Sequence, residues 1–145
     1  MSQARLFSNS SRIKLLLAED HALLRHGMAL LLGQEPDIEV VGEAPDGETA
    51  VKMAVQLRPD VVLMDVGLPR MSGIEATRAI CRDMPQTRII GLSVFEEKER
   101  AEEMTSAGAC LYLTKRGPAQ QLIAAIRTCV KPNAAAAGVS VDRPR

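Results

Sequence analysis

Asp60-Val61-Val62-Leu63-Met64-Asp65-Val66-Gly67-Leu68-Pro69 is the stretch on which the fold turns. Val61 to Met64 are apolar without alternation, which suits a strand covered on both faces, as in a parallel sheet, and Asp65 marks its carboxyl end. Gly67 and Pro69 then force a loop. In open α/β sheets the chemistry lies beyond the carboxyl ends of the strands, so an aspartate there has a wet mouth in front and a dry floor behind. A lone strand-end aspartate is more often simply solvated. The remaining strands decide whether this one is more than that.

Upstream, residues 13–18 form a short apolar run that ends in the acidic pair Glu19-Asp20. From His21 to Gln34 the residues Leu23, Leu24, Met28, Leu31 and Leu32 recur at helical spacing, which predicts a helix burying them, with Asp20 capping its first turn. Residues 38–44 read as a strand, and Asp46-Gly47 opens a helix that runs through Leu57 until Pro59 stops it. Downstream, residues 73–84 read as a helix with Ile74, Thr77, Ile80 and Cys81 inward, followed by a strand from Arg88 that ends in the hydroxyl of Ser93. Residues 96–107 are charged almost throughout, with Ala101, Met104 and Ala107 as a thin apolar stripe, which predicts a weakly held helix closed by Gly108. Residues 110–113 form a fifth strand, followed by Thr114-Lys115. A last helix has Pro118 in its first turn and Leu122, Ile123, Ile126 and Val130 on one face.

Composition bounds the function classes. The 145 residues suit one domain, expected over residues 12–131, with a mobile segment at 1–11 and a linker or tail at 132–145. Hydrophobic residues make up 46%, yet there are one Tyr, two Phe and no Trp, so the core is aliphatic. Lys plus Arg equals Asp plus Glu at 18 each, which gives no overall basic field for nucleic acid. Cys81, Cys110 and Cys129 show neither metal nor redox spacing and read as packing thiols in a reducing cytoplasm. Neither a signal peptide nor a membrane-length apolar run is present in the sequence, so a cytoplasmic, membrane-free protein is expected.

About five strands alternating with about five helices imply parallel pairing through right-handed crossovers and a three-layer α/β sandwich. Parallel strands present their carboxyl ends along one edge, so Glu19-Asp20, Asp65, Ser93 and Lys115 converge there. Two carboxylates about 4 Å apart repel by roughly 4 kcal/mol at the effective dielectric of a protein surface, so three of them together need cations. Lys115 supplies one charge, and the remainder invites a hard divalent ion such as Mg2+, which keeps waters and a phosphate oxygen among its ligands. Such a site is built to receive a phosphoryl group.

The acidic pair, the aspartate with Pro69 four residues on and Gly73 eight residues on, the serine and the lysine stand in an order that resembles the response-regulator receiver domain of two-component signalling, from about Arg12 to Lys131. The run from Glu19 to Met28 is similar to the NarL/FixJ-type subgroup, whose members usually carry a helix-turn-helix after the receiver. The resemblance implies a flavodoxin-like sheet in the order 2-1-3-4-5. It implies Asp65 as the nucleophile that takes a phosphoryl group from the phosphohistidine of a sensor histidine kinase, with Lys115 pairing with a phosphoryl oxygen. Asp20, Asp65 and the Gly67 carbonyl would hold Mg2+, with Glu19 reaching it through water. Ser93 would turn towards the phosphoryl group and Tyr112 would rotate into the space vacated, a two-state switch. The function implied is phosphorylation-activated control of an output, transcription through a DNA-binding domain outside this chain, with no enzymatic activity beyond its own phosphorylation and dephosphorylation. A receiver homodimer is compatible with it.

Two rivals differ in class. A stand-alone or degenerate receiver would act as a phosphate relay or protein-interaction module, but every expected pocket group is present in the sequence. A phosphatase using an aspartate nucleophile would need a second aspartate where Gly67 stands. Gly67 and Phe95 offer no side-chain group to orient a hydrolytic water, which predicts slow loss of the phosphoryl group. His21 and His26, five apart, share no helix face and read as bland.

Overall fold

The computed structural model describes residues 11–94 and 97–130, so the expectations for residues 1–10, for the tail after Val130 and for Phe95 lie outside the described residues. The chain runs β1 (Ile13–Ala18), α1 (Ala22–Gly33), β2 (Ile38–Ala44), α2 (Gly47–Leu57), β3 (Val61–Asp65), α3 (Gly73–Asp83), β4 (Arg88–Ser93), α4 (Lys98–Ala107), β5 (Leu111–Thr114) and α5 (Ala119–Cys129). All pairings are parallel and the sheet order is β2-β1-β3-β4-β5, as expected of a flavodoxin-like receiver sheet. β3 lies in the middle, and its five residues are all buried because both faces are covered.

The alternation of the strands divides the core in two. On one face Leu16, Val62, Met64 and Ile89 pack with Ala50 and Ala54 of α2, Ala76 and Ile80 of α3, and Met104 of α4. On the other, Leu15, Leu17, Leu63, Ile90 and Leu92 pack with Leu32 of α1 and Ile123, Ile126 and Cys129 of α5. The result is a three-layer sandwich in which each strand feeds both layers. Burying one such aliphatic side chain contributes about 1.5–3 kcal/mol, so the two-sided core, rather than any helix by itself, holds the fold.

Helix ends follow local chemistry. Asp46 accepts a hydrogen bond from Thr49 N at 2.7 Å to cap α2, and Ser72 with Glu75 forms a reciprocal capping box on α3. Gly108, at φ 121°, closes α4 where a side chain would be strained. Two expectations need correction. Asp20 does not cap α1: His21 occupies the capping position without a side-chain capping bond. Nor does α1 bury its leucines, since Leu23 is 87% exposed, Leu24 and Leu31 are exposed, and only Leu32 is fully covered. Pro118 likewise stands just before α5, at its capping position, rather than inside the first turn.

Candidate functional site

Asp65 closes β3, opposite Leu92 of β4, at the carboxyl edge of the sheet. The ladder continues one step further through Val66 N donating to Leu92 O at 3.0 Å, which fixes the direction in which the loop leaves. Gly73 N then donates to Val66 O at 3.0 Å, bringing the start of α3 back against the strand end. A Cβ at Gly73 would fall 2.1 Å from the Asp65 carbonyl oxygen, so only glycine permits this return. Gly67 is exposed, and its N–H donates to Asp65 Oδ1 at 3.2 Å.

Lys115 follows β5, and its backbone N–H donates to Ser93 O at 2.8 Å, which ties the lysine loop to the end of β4. From there its ammonium reaches Glu19 Oε1 at 2.6 Å and Asp65 Oδ2 at 3.2 Å. Glu19 is 2% exposed, held behind β1 by its N–H bond to Ala44 O at 3.0 Å and by His21 N donating to its Oε2 at 3.0 Å. Three strands thus place two carboxylates around one cation. Asp20 stands beside them on the exposed side, so it is the carboxylate open to solvent at the mouth.

Burial sets the electrostatics. Desolvation raises the Asp65 carboxyl above its ordinary pKa, with the Lys115 charge opposing and Glu19 adding to the rise. Burial also pushes Glu19 upward, but hydrogen bonds from Lys115 and His21 outweigh it and leave Glu19 below the usual range. Burial lowers the Lys115 ammonium, yet the bond to Glu19 and the Asp65 charge raise it above an ordinary lysine. Lys115 therefore stays charged, and Asp65 keeps one oxygen turned to the lysine and the other to the Gly67 N–H.

Of the residues singled out from the sequence, Glu19, Asp65 and Lys115 are in direct contact, and Asp20 and Gly67 flank them. Ser93 ends β4 and meets Thr114 of β5 in register. Tyr112 is not in the pocket. It sits on β5 behind it, packed over Gly91, where a Cβ would lie 3.0 Å from the Tyr112 ring. Its hydroxyl is buried without a hydrogen-bond partner, and a cleft of about 420 Å³ between α4 and β5 opens beside it, lined by Glu97, Lys98 and Ala101 among others.

His21 belongs to the site after all. Its Nδ1 lies 3.0 Å from Glu19 Oε2 and 3.6 Å from Asp20 Oδ1, and ligand atoms of the three residues all fall within 4.8 Å of one another. The helical-face argument missed it because His21 precedes α1 and obeys turn geometry; its adjacency to the acidic pair was the available signal. Arg25 was also missed, and it braces the same corner by donating from Nη1 to Glu19 O at 2.7 Å and from Nε to Glu43 Oε1 at 3.1 Å. The grouped donors, Glu19, Asp20 and His21, offer two carboxylates and one imidazole, a mostly hard set that fits a hard divalent cation, and Asp65 is not among them.

Comparison with known proteins places this geometry. Residues 15–127 match the response regulator receiver domain family. The chain is 44% identical over 119 residues to the transcriptional regulatory protein LiaR of Bacillus subtilis, covering 82% of this chain and 56% of LiaR. It is 40% identical over 115 residues to the response regulator GacA of Pseudomonas aeruginosa, covering 79% of this chain and 54% of GacA. The chain thus spans about half the length of these curated relatives. Among solved structures it is similar to a two-component response regulator of the LuxR family from Aurantimonas sp. (TM-score 0.78, 31% identity, 91% of this chain and 100% of that one). It is also similar to the response regulator domain of Thermotoga maritima CheB (TM-score 0.75, 34% identity, 81% of this chain and 96% of that one).

Proposed function

The chain belongs to the response regulator receiver domain family, and from that membership we propose that Asp65 is its phosphoryl acceptor and Lys115 and Ser93 the groups that receive the transferred oxygens. The observation that carries this reading is the contact of the Lys115 ammonium with Asp65, 3.2 Å away, at the open carboxyl edge of the sheet. The donor is the phosphohistidine of a sensor histidine kinase. An Asp65 carboxylate oxygen attacks phosphorus, the bond from phosphorus to the imidazole nitrogen breaks, and the electron pair leaves with the imidazole. An acyl phosphate results. Little covalent work falls to the protein, so positioning and charge do most of it.

Glu19 supports the reading by holding Lys115 from behind at 2.6 Å, so the ammonium is aimed before the phosphoryl group arrives. Asp20, Asp65 and the Gly67 carbonyl would hold Mg2+, with Glu19 contributing through water. When bound, the ion supplies positive charge that offsets the repulsion between the incoming phosphate and the carboxylates. His21, in contact with both Glu19 and Asp20, orients that acidic corner.

The switch runs through Ser93 and Tyr112. Ser93 turning towards a phosphoryl oxygen draws the end of β4 inward, and the Tyr112 hydroxyl, buried without a partner, gains one by leaving its present position. The output is transcription control through a DNA-binding domain outside this chain, in keeping with the name of LiaR, a transcriptional regulatory protein. No helix among the described residues is long and apolar enough to cross a membrane. The test is intact mass after incubation with a small phosphodonor and Mg2+. Wild type should gain one phosphoryl group, about 80 Da, and Asp65→Asn none. Labelling of the variant at the wild-type rate would remove Asp65 from the role.

A further inference from the structure

Cys110 and Cys129 are nineteen positions apart and show no motif spacing, yet the fold brings Cys129 Sγ to 2.9 Å from Cys110 Sγ. Cys110 is exposed, in the turn that joins α4 to β5, where its N–H donates to Ile89 O at 2.7 Å. Cys129 is the last residue of α5 and is 3% exposed, facing the core layer under that helix. A disulfide has its sulfurs about 2.05 Å apart, so closure asks for about 0.9 Å of approach between groups already in contact. We propose that Cys110 and Cys129 are a peroxide-sensitive thiol pair that closes to an intramolecular disulfide, tying the end of α5 to the start of β5.

The chemistry divides between an exposed attacking sulfur and a buried resolving one. The Cys110 thiolate attacks one oxygen of hydrogen peroxide: an S–O bond forms, the O–O bond breaks, and the departing hydroxide takes up the thiol proton as water. The Cys129 sulfur then attacks Cys110: the S–S bond forms, the S–O bond breaks, and the second hydroxide leaves as water with the Cys129 proton. Two thiols and one peroxide become one disulfide and two waters. The surroundings favour this division. The hydrogen bond donated by Cys129, with the Arg88 charge nearby, holds the Cys110 thiol well below its ordinary pKa despite partial burial, whereas Cys129 is pushed up. Cys81 is the internal contrast: burial raises its thiol, and its sulfur bonds to the Gly108 carbonyl at 3.7 Å instead of to another thiol.

The resulting ring encloses residues 110–129, and with them Tyr112 and Lys115, but the disulfide does not depend on the phosphoryl-acceptor reading. The test is to treat the reduced chain with a few equivalents of hydrogen peroxide, block remaining thiols with N-ethylmaleimide, and map peptides by mass. Expected are a loss of about 2 Da before blocking, a single blocked thiol at Cys81, and one linked pair of peptides carrying Cys110 and Cys129. Cys81→Ala should oxidise within about twofold of the wild-type rate, and Cys110→Ser should slow thiol loss at Cys129 by about tenfold or more. Cys129→Ala should stop at a sulfenic acid on Cys110 that dimedone traps; should this core substitution fail to fold, the surface variant Cys110→Ser and the wild-type map still decide. First modification at Cys81, over-oxidation of Cys110 without a link, or links only between chains would each overturn the proposal.

Discussion

Lys115 and Arg127 each bridge two carboxylates, at opposite ends of the sheet. At the carboxyl edge, Lys115 sits between Glu19 and Asp65, with the three side chains 10%, 2% and 10% exposed. Near the other edge, Arg127 of α5 reaches Glu35 Oε1 at 2.8 Å and Asp37 by two bonds of 2.8 Å, with the arginine 40% exposed. The exposed cluster has the better geometry, with a forked guanidinium on two carboxylates, yet it is the cluster with the smaller consequences. Water screens its charges and can replace any bond it loses. In the buried cluster the charges are screened far less, so each depends on the other two, and a change in one, such as phosphorylation, must be felt by the rest.

Replacing each cation sharpens that contrast. Lys115→Met leaves Glu19 and Asp65 side by side without their cation, so in metal-free buffer near neutral pH it should cost about 3 kcal/mol of stability in urea unfolding. The deficit should shrink with added Mg2+, and a loss under about 0.5 kcal/mol would mean that the buried cluster is not organised by charge.

The pH dependence should differ in sign between Asp65 and Asp37, while Glu19, held low, goes with Asp37. Asp65, raised in the folded state, favours folding when protonated, so its contribution is present at acid pH and is lost as pH rises through the folded value. Asp37, held down by its bond from Arg127, contributes above the ordinary aspartate value and loses that contribution as pH falls through its lower folded value. Lys115, raised, contributes below the ordinary lysine value and loses it as pH rises through the folded one. Urea midpoints from pH 3 to 6 should therefore fall less steeply on acidification for wild type than for Asp65→Asn. Arg127→Ala is the smallest effect: at most about 1 kcal/mol, vanishing in molar salt and at acid pH. A salt-insensitive loss would show that Arg127 works by packing instead.

β3 was legible because a continuous apolar run closed by a carboxylate has few other readings, and the alternation of elements then implied a parallel sheet. The order of the strands was not legible from alternation, which is equally compatible with other windings, and came only with the family resemblance. α1 misled: its leucines recur at the right period, but Leu23 and Leu31 stand 87% and 42% exposed, while polar α4 buries Met104 completely. A period states which residues share a face and leaves open how wide a face the sheet can cover. His21 was misread and the Cys110–Cys129 contact was invisible for a related reason, since the first depends on a turn and the second on two segments meeting across a layer.

Borohydride reduction of the phosphorylated chain addresses the phosphoryl acceptor most directly, because it converts an aspartyl phosphate, and no ordinary aspartate, to homoserine in place. Peptide mapping should then find one residue about 14 Da lighter, at Asp65, in the fraction of chains that carried phosphate. The mark at Asp20 or at any other carboxylate, or phosphorylated protein that yields no homoserine, would contradict the assignment of this strand end as the phosphoryl acceptor.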